Sequence, residues 1–216
     1  MKLALVNPNT SQETTAEMVE IAKVASGRAE LVGFTARFGA PLITDPARLR
    51  TAEGAVVALA PVLRGFDGVV VGAFGDPGAA LLRAALDVPV TGLAEAGMAE
   101  AASFGRPFAV VTTTPALTTE IADMARRYGH EQFVGTWTPD ADPLALSADP
   151  EALVCALSAA CDQALKTGGA EVILIGGGPL ARAAQRLAAC LTVPVIEPLP
   201  AAVRLALHRA RVGSLS

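Results

Sequence analysis

Four turns that follow apolar segments of this chain carry residue types that could hold a small carbonyl compound. They are Asn-Pro-Asn-Thr-Ser at 7–11, Gly-Ala-Phe-Gly-Asp at 72–76, three threonines at 112–114 and three glycines at 176–178. Amide and hydroxyl side chains can hydrogen-bond a ligand, and glycine lets backbone N–H groups approach it closely. A helix that begins at such a turn adds free N–H groups and partial positive charge. We therefore expect a small anionic or amide-like ligand at these turns.

The turns occur in two pairs, which indicates a duplicated unit. The segment KLALVNPNT resembles PFAVVTTTP, so Asn7 matches Thr112, and Ala73 matches Gly177 at nearly the same offset of roughly 105 positions. Two similar halves that face each other would form one site at their junction. We predict a first lobe of residues 1–95 plus 199–216 and a second lobe of residues 96–198.

Apolar strand patterns alternate with helical patterns along the chain, which predicts an α/β fold. The strands are continuously apolar, as expected for parallel sheets covered on both faces. We predict two similar Rossmann-like lobes with parallel sheets, related by a pseudo-twofold axis, with the ligand cleft between them. The predicted strands are 3–6, 30–35, 68–71, 88–90, 108–112, 133–136, 172–175 and 193–196. The predicted helices are 11–25, 46–64, 77–85, 94–104, 115–128, 149–166, 179–189 and 199–212, with segment 139–150 either a surface loop or a flap over the site.

Composition excludes several classes of partner. The formal charge of -4, without a basic cluster, argues against nucleic acid and anionic membrane surfaces. No apolar run approaches the ~20 residues of a spanning helix, and the first residues read as a strand rather than a signal peptide. Three cysteines without metal-like spacing fit a reducing, cytoplasmic compartment. We expect no metal and no cofactor, because the sequence shows no ligand cluster, GxGxxG or P-loop.

Motifs along nearly the whole chain resemble the aspartate/glutamate racemase superfamily and, within it, the hydantoin and allantoin racemases. They are VNPNTS, DGVVVGAFGDPG, PVTGLAEAGM, AVVTTT, AEVILIGGGPLA and VPVIEPLPAAV. The resemblance implies that family members have a cysteine at the position of Ala73 and another at the position of Gly177. In those proteins one thiolate removes the α-proton of the substrate and the other thiol returns a proton on the opposite face. A methyl group or a hydrogen cannot carry a proton, so two-thiol racemisation is not expected here. The resemblance also implies a homo-oligomer.

Other side chains could replace the thiols as acids or bases. Asp76, Glu95 and Glu197 follow predicted strands, and a bound water is a further alternative. Each carboxylate also has a structural interpretation: Asp76 as the N-cap of its own helix, and Glu95 or Glu197 as an acidic residue near a helix start. The cysteines at 155, 161 and 190 lie on predicted helices, away from the turns, and we expect them to be buried small residues.

The resemblance implies a substrate-holding role for the first turn and for its counterpart in the second half. We expect Asn7 and Thr113 to bind the ligand, although helix capping remains an alternative for both. Phe74 either lines the cavity or packs in the core, and the N–H groups of 176–178 could stabilise an oxyanion. The predicted binding residues are Asn7, Asn9, Thr10, Phe74, Thr112, Thr113, Thr114 and Gly178.

Three functions remain open at this point. The first is a cofactor-independent enzyme acting on a small carboxylate or cyclic amide without thiols, by isomerisation, decarboxylation or hydrolysis. The second is a catalytically inactive binding or regulatory module that kept the cleft. The third is an inactivated racemase.

Overall fold

The computed structural model describes residues 1–213 and contains two four-stranded parallel sheets. The first sheet has the order β2-β1-β3-β4, and the second has the order β6-β5-β7-β8. The strands are β1 (Lys2–Asn7), β2 (Glu30–Thr35), β3 (Gly68–Val71), β4 (Val90–Gly92), β5 (Phe108–Val111), β6 (Phe133–Trp137), β7 (Val172–Ile175) and β8 (Val195–Ile196). The identical order in both halves confirms the predicted fold of two α/β lobes.

Helices cover these sheets. They are α1 (Gln12–Ser26), α2 (Pro46–Val57), α3 (Ala60–Leu63), α4 (Ala79–Ala85), α5 (Leu93–Ala102), α6 (Thr118–Arg127), α7 (Pro143–Ala148), α8 (Pro150–Lys166), α9 (Ala181–Cys190) and α10 (Pro198–Gly213). Short 3-10 turns at Pro115–Leu117 and Gly178–Leu180 precede α6 and α9. Within residues 1–213, none of the helices has the length and apolarity needed to cross a membrane.

Two predicted elements were wrong. The helix predicted at 46–64 is divided into α2 and α3, because Pro61 has no N–H for the carbonyl four residues earlier and its ring crowds that carbonyl. The segment predicted to lack regular structure, 139–150, contains α7. Asp142 caps this short helix by accepting hydrogen bonds from the N–H groups of Leu144 and Ala145, both at 3.3 Å.

Three of the four central strands are buried along their whole length, and the fourth, β1, is exposed only at Lys2. Every residue of β3, β5 and β7 is buried, because helices lie on both faces of each sheet. In a parallel sheet all strands end at the same edge, so the turns that follow β1 and β3 lie side by side. The turns after β5 and β7 do the same in the second lobe. This arrangement brings the predicted ligand-binding turns together.

The last helix after each sheet packs on the other lobe. Helix α5 follows β4, yet a Cβ placed on Gly97 in this helix would lie 2.8 Å from Cδ1 of Leu174 in β7. Helix α10 follows β8 and packs on the first lobe, where Cβ of Ala210 lies 3.8 Å from the Cβ position of Gly68. The predicted lobe boundaries at 95/96 and 198/199 stay a prediction. Residues 214–216, which we assigned to the first lobe, lie outside the described chain.

Candidate functional site

The turns after β3 and β7 are in direct contact across the lobe junction. A Cβ on Gly178 would come within 2.4 Å of the carbonyl oxygen of Gly72. A Cβ on Gly176 would lie 3.4 Å from ring carbons of Phe74. Ala73 and Gly177 lie in the middle of these two contacting turns, and both line a cavity of about 560 Å³, called the cleft below.

The cleft has polar groups from both lobes and an apolar part. The polar side chains near the strand ends are Asn9, Ser11, Thr14, Thr112, Thr113 and Thr114. The apolar part comes from three regions: the segment before α2, the start of α6, and α7 with the start of α8. Its members include Pro41, Leu42, Ile43, Leu117, Ile121, Pro143, Leu144 and Leu153. A ligand with a polar ring and an apolar substituent matches this division.

Backbone donors are present where an oxyanion site was predicted. The N–H of Gly176 donates to the carbonyl of Val111 at 2.8 Å, so it is already used within the sheet. The N–H groups of Gly177 and Gly178 have no acceptor among residues 1–213. Gly177 has a φ of 145°, a region that favours glycine. Two adjacent donors therefore remain for a ligand.

The side chain of Asn7 holds the first turn through hydrogen bonds. Asn7 is buried, and its Oδ1 accepts a hydrogen bond from the N–H of Asn9 at 3.1 Å. Its Nδ2 lies 2.8 Å from Oδ1 of Asn9 and 2.9 Å from Oγ1 of Thr15. The N–H of Thr10 donates to the carbonyl of Ala40 at 3.1 Å. Neither Asn7 nor Thr10 lines the cleft, whereas the six other predicted binding residues do.

Asp76 does not cap its own helix as the Asp-Pro pattern suggested. Its carboxylate accepts hydrogen bonds from the N–H of Ala94 at 2.8 Å, the N–H of Glu95 at 2.9 Å and the hydroxyl of Tyr128 at 3.0 Å. The side chain therefore caps α5. Burial raises the pKa of Asp76 to about 6, against the lowering effect of these three donors.

Glu95 is held in a network of ion pairs. Its carboxylate meets the guanidinium of Arg209 at 2.8 Å and that of Arg83 at 2.6 Å, and it accepts the N–H of Gly92 at 3.1 Å. Burial by itself would raise the pKa of Glu95. The hydrogen bonds from Arg209 and Gly92 and the two positive charges hold that pKa below its usual value.

Glu197 lies immediately before α10, apart from the cleft. Burial raises the pKa of Glu197, which the positive charge of Arg204 opposes. Its Oε2 is buried and finds no partner within the part of the chain that the structure describes. None of Asp76, Glu95 and Glu197 lines the cleft. Their assignment as acids or bases stays a prediction.

The three cysteines do not line the cleft. Only Cys161 is buried, and burial raises the pKa of its thiol to about 12. Cys155 and Cys190 are exposed, so the expectation that all three are buried was wrong for these two. Each lies on the solvent side of its helix. The sequence did not indicate this, because both faces of these helices are rich in small apolar residues.

Sequence reasoning missed the ionisable side chains that the cleft does contain. Among the residues described, these are Glu13 and Glu17 on α1 and Arg182 on α9. Glu17 and Arg182 form an ion pair between the two lobes. The i, i+4 spacing of Glu13 and Glu17 could have suggested a common helix face. Pairing with a residue 165 positions away leaves no local signal.

Comparison with known proteins places this geometry in a family. A family model described as Asp/Glu/Hydantoin racemase matches residues 3–206. A hydantoin racemase of Pseudomonas sp. (strain NS671) is 30% identical over 216 residues, which cover 95% of this chain and 84% of that protein. The chain belongs to the Asp/Glu/hydantoin racemase family.

Solved structures of similar proteins have the same fold. The allantoin racemase from Klebsiella pneumoniae superimposes with a TM-score of 0.91 at 30% identity, covering 99% of this chain and 89% of that chain. The allantoin racemase from Pseudomonas fluorescens gives a TM-score of 0.93 at 29% identity, covering 99% of this chain and 92% of that chain. Both similarities extend over the two lobes and the cleft between them.

Proposed function

We propose that the cleft binds a small cyclic amide or carboxylate and promotes proton exchange at the carbon next to its carbonyl group. The observation that carries this proposal is the contact between the turns around Ala73 and Gly177, which places donors from both lobes around one cavity. Relatives named hydantoin racemase and allantoin racemase support a cyclic amide as the ligand. The proposed reaction is isomerisation, and decarboxylation and hydrolysis are alternatives that use the same activated carbonyl group.

The proposed contribution of the protein is electrostatic. When a C–H bond next to a carbonyl ionises, negative charge develops on the carbonyl oxygen. We propose that the unpaired N–H groups of Gly177 and Gly178 and the hydroxyl of Thr113 stabilise that charge, since all three residues line the cleft. Removing one such donor in an acyl-transfer enzyme lowers kcat by about 10²–10³-fold. This stabilisation does not require a thiol.

We propose water as the proton carrier. The resemblance implies cysteines at two positions that are Ala73 and Gly177 in this chain, and neither of these residues can titrate. The carboxylates of Asp76 and Glu95 are engaged in hydrogen bonds outside the cleft. The carboxylates that do line it, Glu13 and Glu17, lie on α1 rather than on the turns around Ala73 and Gly177, and Glu17 is paired with Arg182. Water in the cleft would then accept and return the proton, more slowly than a positioned side chain because general acid–base groups contribute about 10²–10⁴-fold each.

A second candidate function is ligand binding without turnover. The ionisable side chains of the described cleft lining are Glu13, Glu17 and Arg182, of which Glu17 and Arg182 are paired, and none of them lies on the turns around Ala73 and Gly177, which favours this alternative. Both candidates predict binding, and only the first predicts exchange. We expect the protein to form a homo-oligomer in either case, which light scattering after size-exclusion chromatography would measure.

The test combines binding and exchange on one set of compounds. L-5-benzylhydantoin, allantoin and phenylmalonic acid are incubated with the protein in D₂O, and loss of the α-proton signal is followed by NMR; loss of carboxylate from phenylmalonic acid is followed in parallel. Thermal shift with the same compounds measures binding, since a ligand at about 100 Kd adds about 2.7 kcal/mol of stability. Exchange above the buffer rate, reduced at least about tenfold in Thr113→Val, supports the enzyme. Binding without exchange supports the second candidate, and neither binding nor exchange contradicts both.

A further inference from the structure

Asp76 and Tyr128 connect the two lobes behind the cleft. Asp76 follows β3 of the first lobe, and Tyr128 follows α6 of the second lobe. The Tyr128 hydroxyl donates to Oδ2 of Asp76 at 3.0 Å, and the same oxygen accepts the N–H of Glu95. The carboxylate therefore joins three elements: the turn after β3, the start of α5 and the end of α6.

The backbone at Asp76 is held in an unfavourable conformation. Asp76 has a φ of 49° and is the one non-glycine residue with positive φ among residues 1–213. Such a conformation has an energetic cost and persists only where surrounding contacts determine it. Here the determining contacts are the hydrogen bonds to the carboxylate and the Asp76 N–H, which donates to the carbonyl of Ala73 at 3.1 Å.

The space around the carboxylate is fitted to it. A Cβ on Gly92 would come within 2.2 Å of Cγ of Asp76, so a residue with a side chain at position 92 would displace the carboxylate. The N–H of Gly92 meanwhile donates to Glu95 at 3.1 Å. Glycine at 92 thus leaves room for the Asp76 carboxylate at the start of α5, while the Glu95 carboxylate accepts the N–H of Gly92 itself.

We propose that Asp76 is a positioning residue, and that its hydrogen bond with Tyr128 fixes the turn carrying Ala73 and Phe74 relative to the second lobe. The effect passes from the Tyr128 hydroxyl to the Asp76 carboxylate, and from the Asp76 N–H to the Ala73 carbonyl. Phe74 then meets Gly176, so the distance between the two turns that form the cleft depends on this contact. The consequence for ligand affinity rests on the proposed function, whereas the positional effect does not.

Amide hydrogen exchange in the ligand-free protein tests the positional effect. Tyr128→Phe removes only the hydroxyl, and Gly92→Ala displaces the carboxylate by its added methyl group. Ser26→Ala is the matched control, since it removes another buried hydroxyl, which donates to the carbonyl of Lys23 at 3.0 Å at the end of α1. The expected result is about 5-fold faster exchange of the amides at 72–79 and 93–95 in the first two variants, the factor for one net hydrogen bond.

The control variant should leave these two segments unchanged. Equal exchange in Tyr128→Phe and wild type, or equal acceleration in Ser26→Ala, would overturn the proposal. Binding of 5-benzylhydantoin is measured in parallel. If Tyr128→Phe accelerates exchange but the wild type binds none of the compounds, the positioning role stands and the proposed function fails. If the wild type binds the ligand and Tyr128→Phe weakens that binding about 5-fold, both stand.

Discussion

Gly178 packs against the carbonyl oxygen of Gly72 so closely that a single methyl group on Gly178 would come within 2.4 Å of that oxygen. The contact joins the turn that follows the third strand of each sheet. It places Ala73 and Gly177 on the walls of one cavity, although they are 104 positions apart in the sequence. The shape of the cleft thus depends on the absence of side chains at its centre.

Gly178→Ala should destabilise the fold. The added Cβ meets a backbone carbonyl that cannot move without disturbing β3, so we expect a loss of roughly 3 kcal/mol in the free energy of unfolding, at the upper end of overpacking. Urea denaturation measures this change. Gly54→Ala is the control, because its Cβ position in α2 has no neighbour within 4 Å. It should stabilise the protein by about 0.5–1 kcal/mol, and equal effects of both variants would contradict the close contact.

Introducing a thiol at each of the two positions where the resemblance implies a cysteine should have unequal structural effects. Ala73→Cys adds a sulfur to the cleft wall and should leave stability within about 0.5 kcal/mol of wild type. Gly177→Cys places a side chain at a φ of 145° and should lower the free energy of unfolding by about 1–3 kcal/mol. Thermal denaturation of each single variant separates the two.

The double variant tests the ligand geometry. Ala73→Cys with Gly177→Cys should accelerate racemisation of L-5-benzylhydantoin over the wild type, because it supplies a titratable group on each side of the carbon. Polarimetry follows the loss of optical rotation. A folded double variant that does not racemise any compound of the tested set would show that the two turns do not face opposite sides of the ligand.

Asp76 should make the fold less stable as the pH rises. Its pKa is about 6 in the folded protein and 3.8 unperturbed, so the folded state binds the proton more tightly. The contribution is fully present below pH 3.8 and is lost as the pH rises through 6. The difference in pKa corresponds to roughly 3 kcal/mol at 1.36 kcal/mol per unit. The groups around Asp76 include Tyr128, Glu95, Arg83, Arg209, Arg50, Glu53, Glu120, Asp123 and Arg127.

Urea denaturation between pH 4 and 8 measures this contribution. Asp76→Asn cannot titrate, so its stability relative to wild type should improve progressively as the pH rises from 4 to 7. Its lost hydrogen bonds contribute a constant offset that does not affect the slope. If the difference in stability between Asp76→Asn and wild type does not depend on pH, the pKa of Asp76 is not raised in the folded protein.

Glu95→Gln should lower the stability of the fold and leave the rate of α-proton exchange unchanged. The variant loses the charge shared by Arg83 and Arg209, and we expect a loss of about 2 kcal/mol at pH 7 from charged hydrogen bonds. The pKa of Glu95 is lowered in the folded state, so this stabilisation is present above its unfolded pKa and disappears as the pH falls. Denaturation at pH 7 and pH 3 gives the energies, and deuterium exchange gives the activity. Loss of exchange in a folded Glu95→Gln would instead assign the residue to catalysis.

Local patterns predicted those features of the structure that depend on neighbouring residues. Asp45 caps the helix that starts at Pro46, accepting the N–H of Arg48 at 2.9 Å, as its Asp-Pro sequence indicates. Asp76, which also precedes a proline, caps α5 instead: its carboxylate accepts the N–H groups of residues 94 and 95, and these contacts hold its backbone at a positive φ. Tyr128, 52 positions away, completes the contact, and nothing near Asp76 in the sequence indicates it. The repeat located the turns, whereas the partners of each side chain depend on how the lobes pack.

Deuterium incorporation into L-5-benzylhydantoin by a cysteine-free variant tests the central claim most directly. The variant combines Cys155→Ser and Cys190→Ser with Cys161→Ala at the buried position, and none of the three lies in the cleft lining. We predict α-proton exchange above the buffer rate and within about twofold of the wild-type rate, because the proposed reaction uses backbone donors, hydroxyl groups and water. Exchange that disappears with the cysteines in a folded protein, or a bound ligand that exchanges no faster than in buffer, would contradict the account.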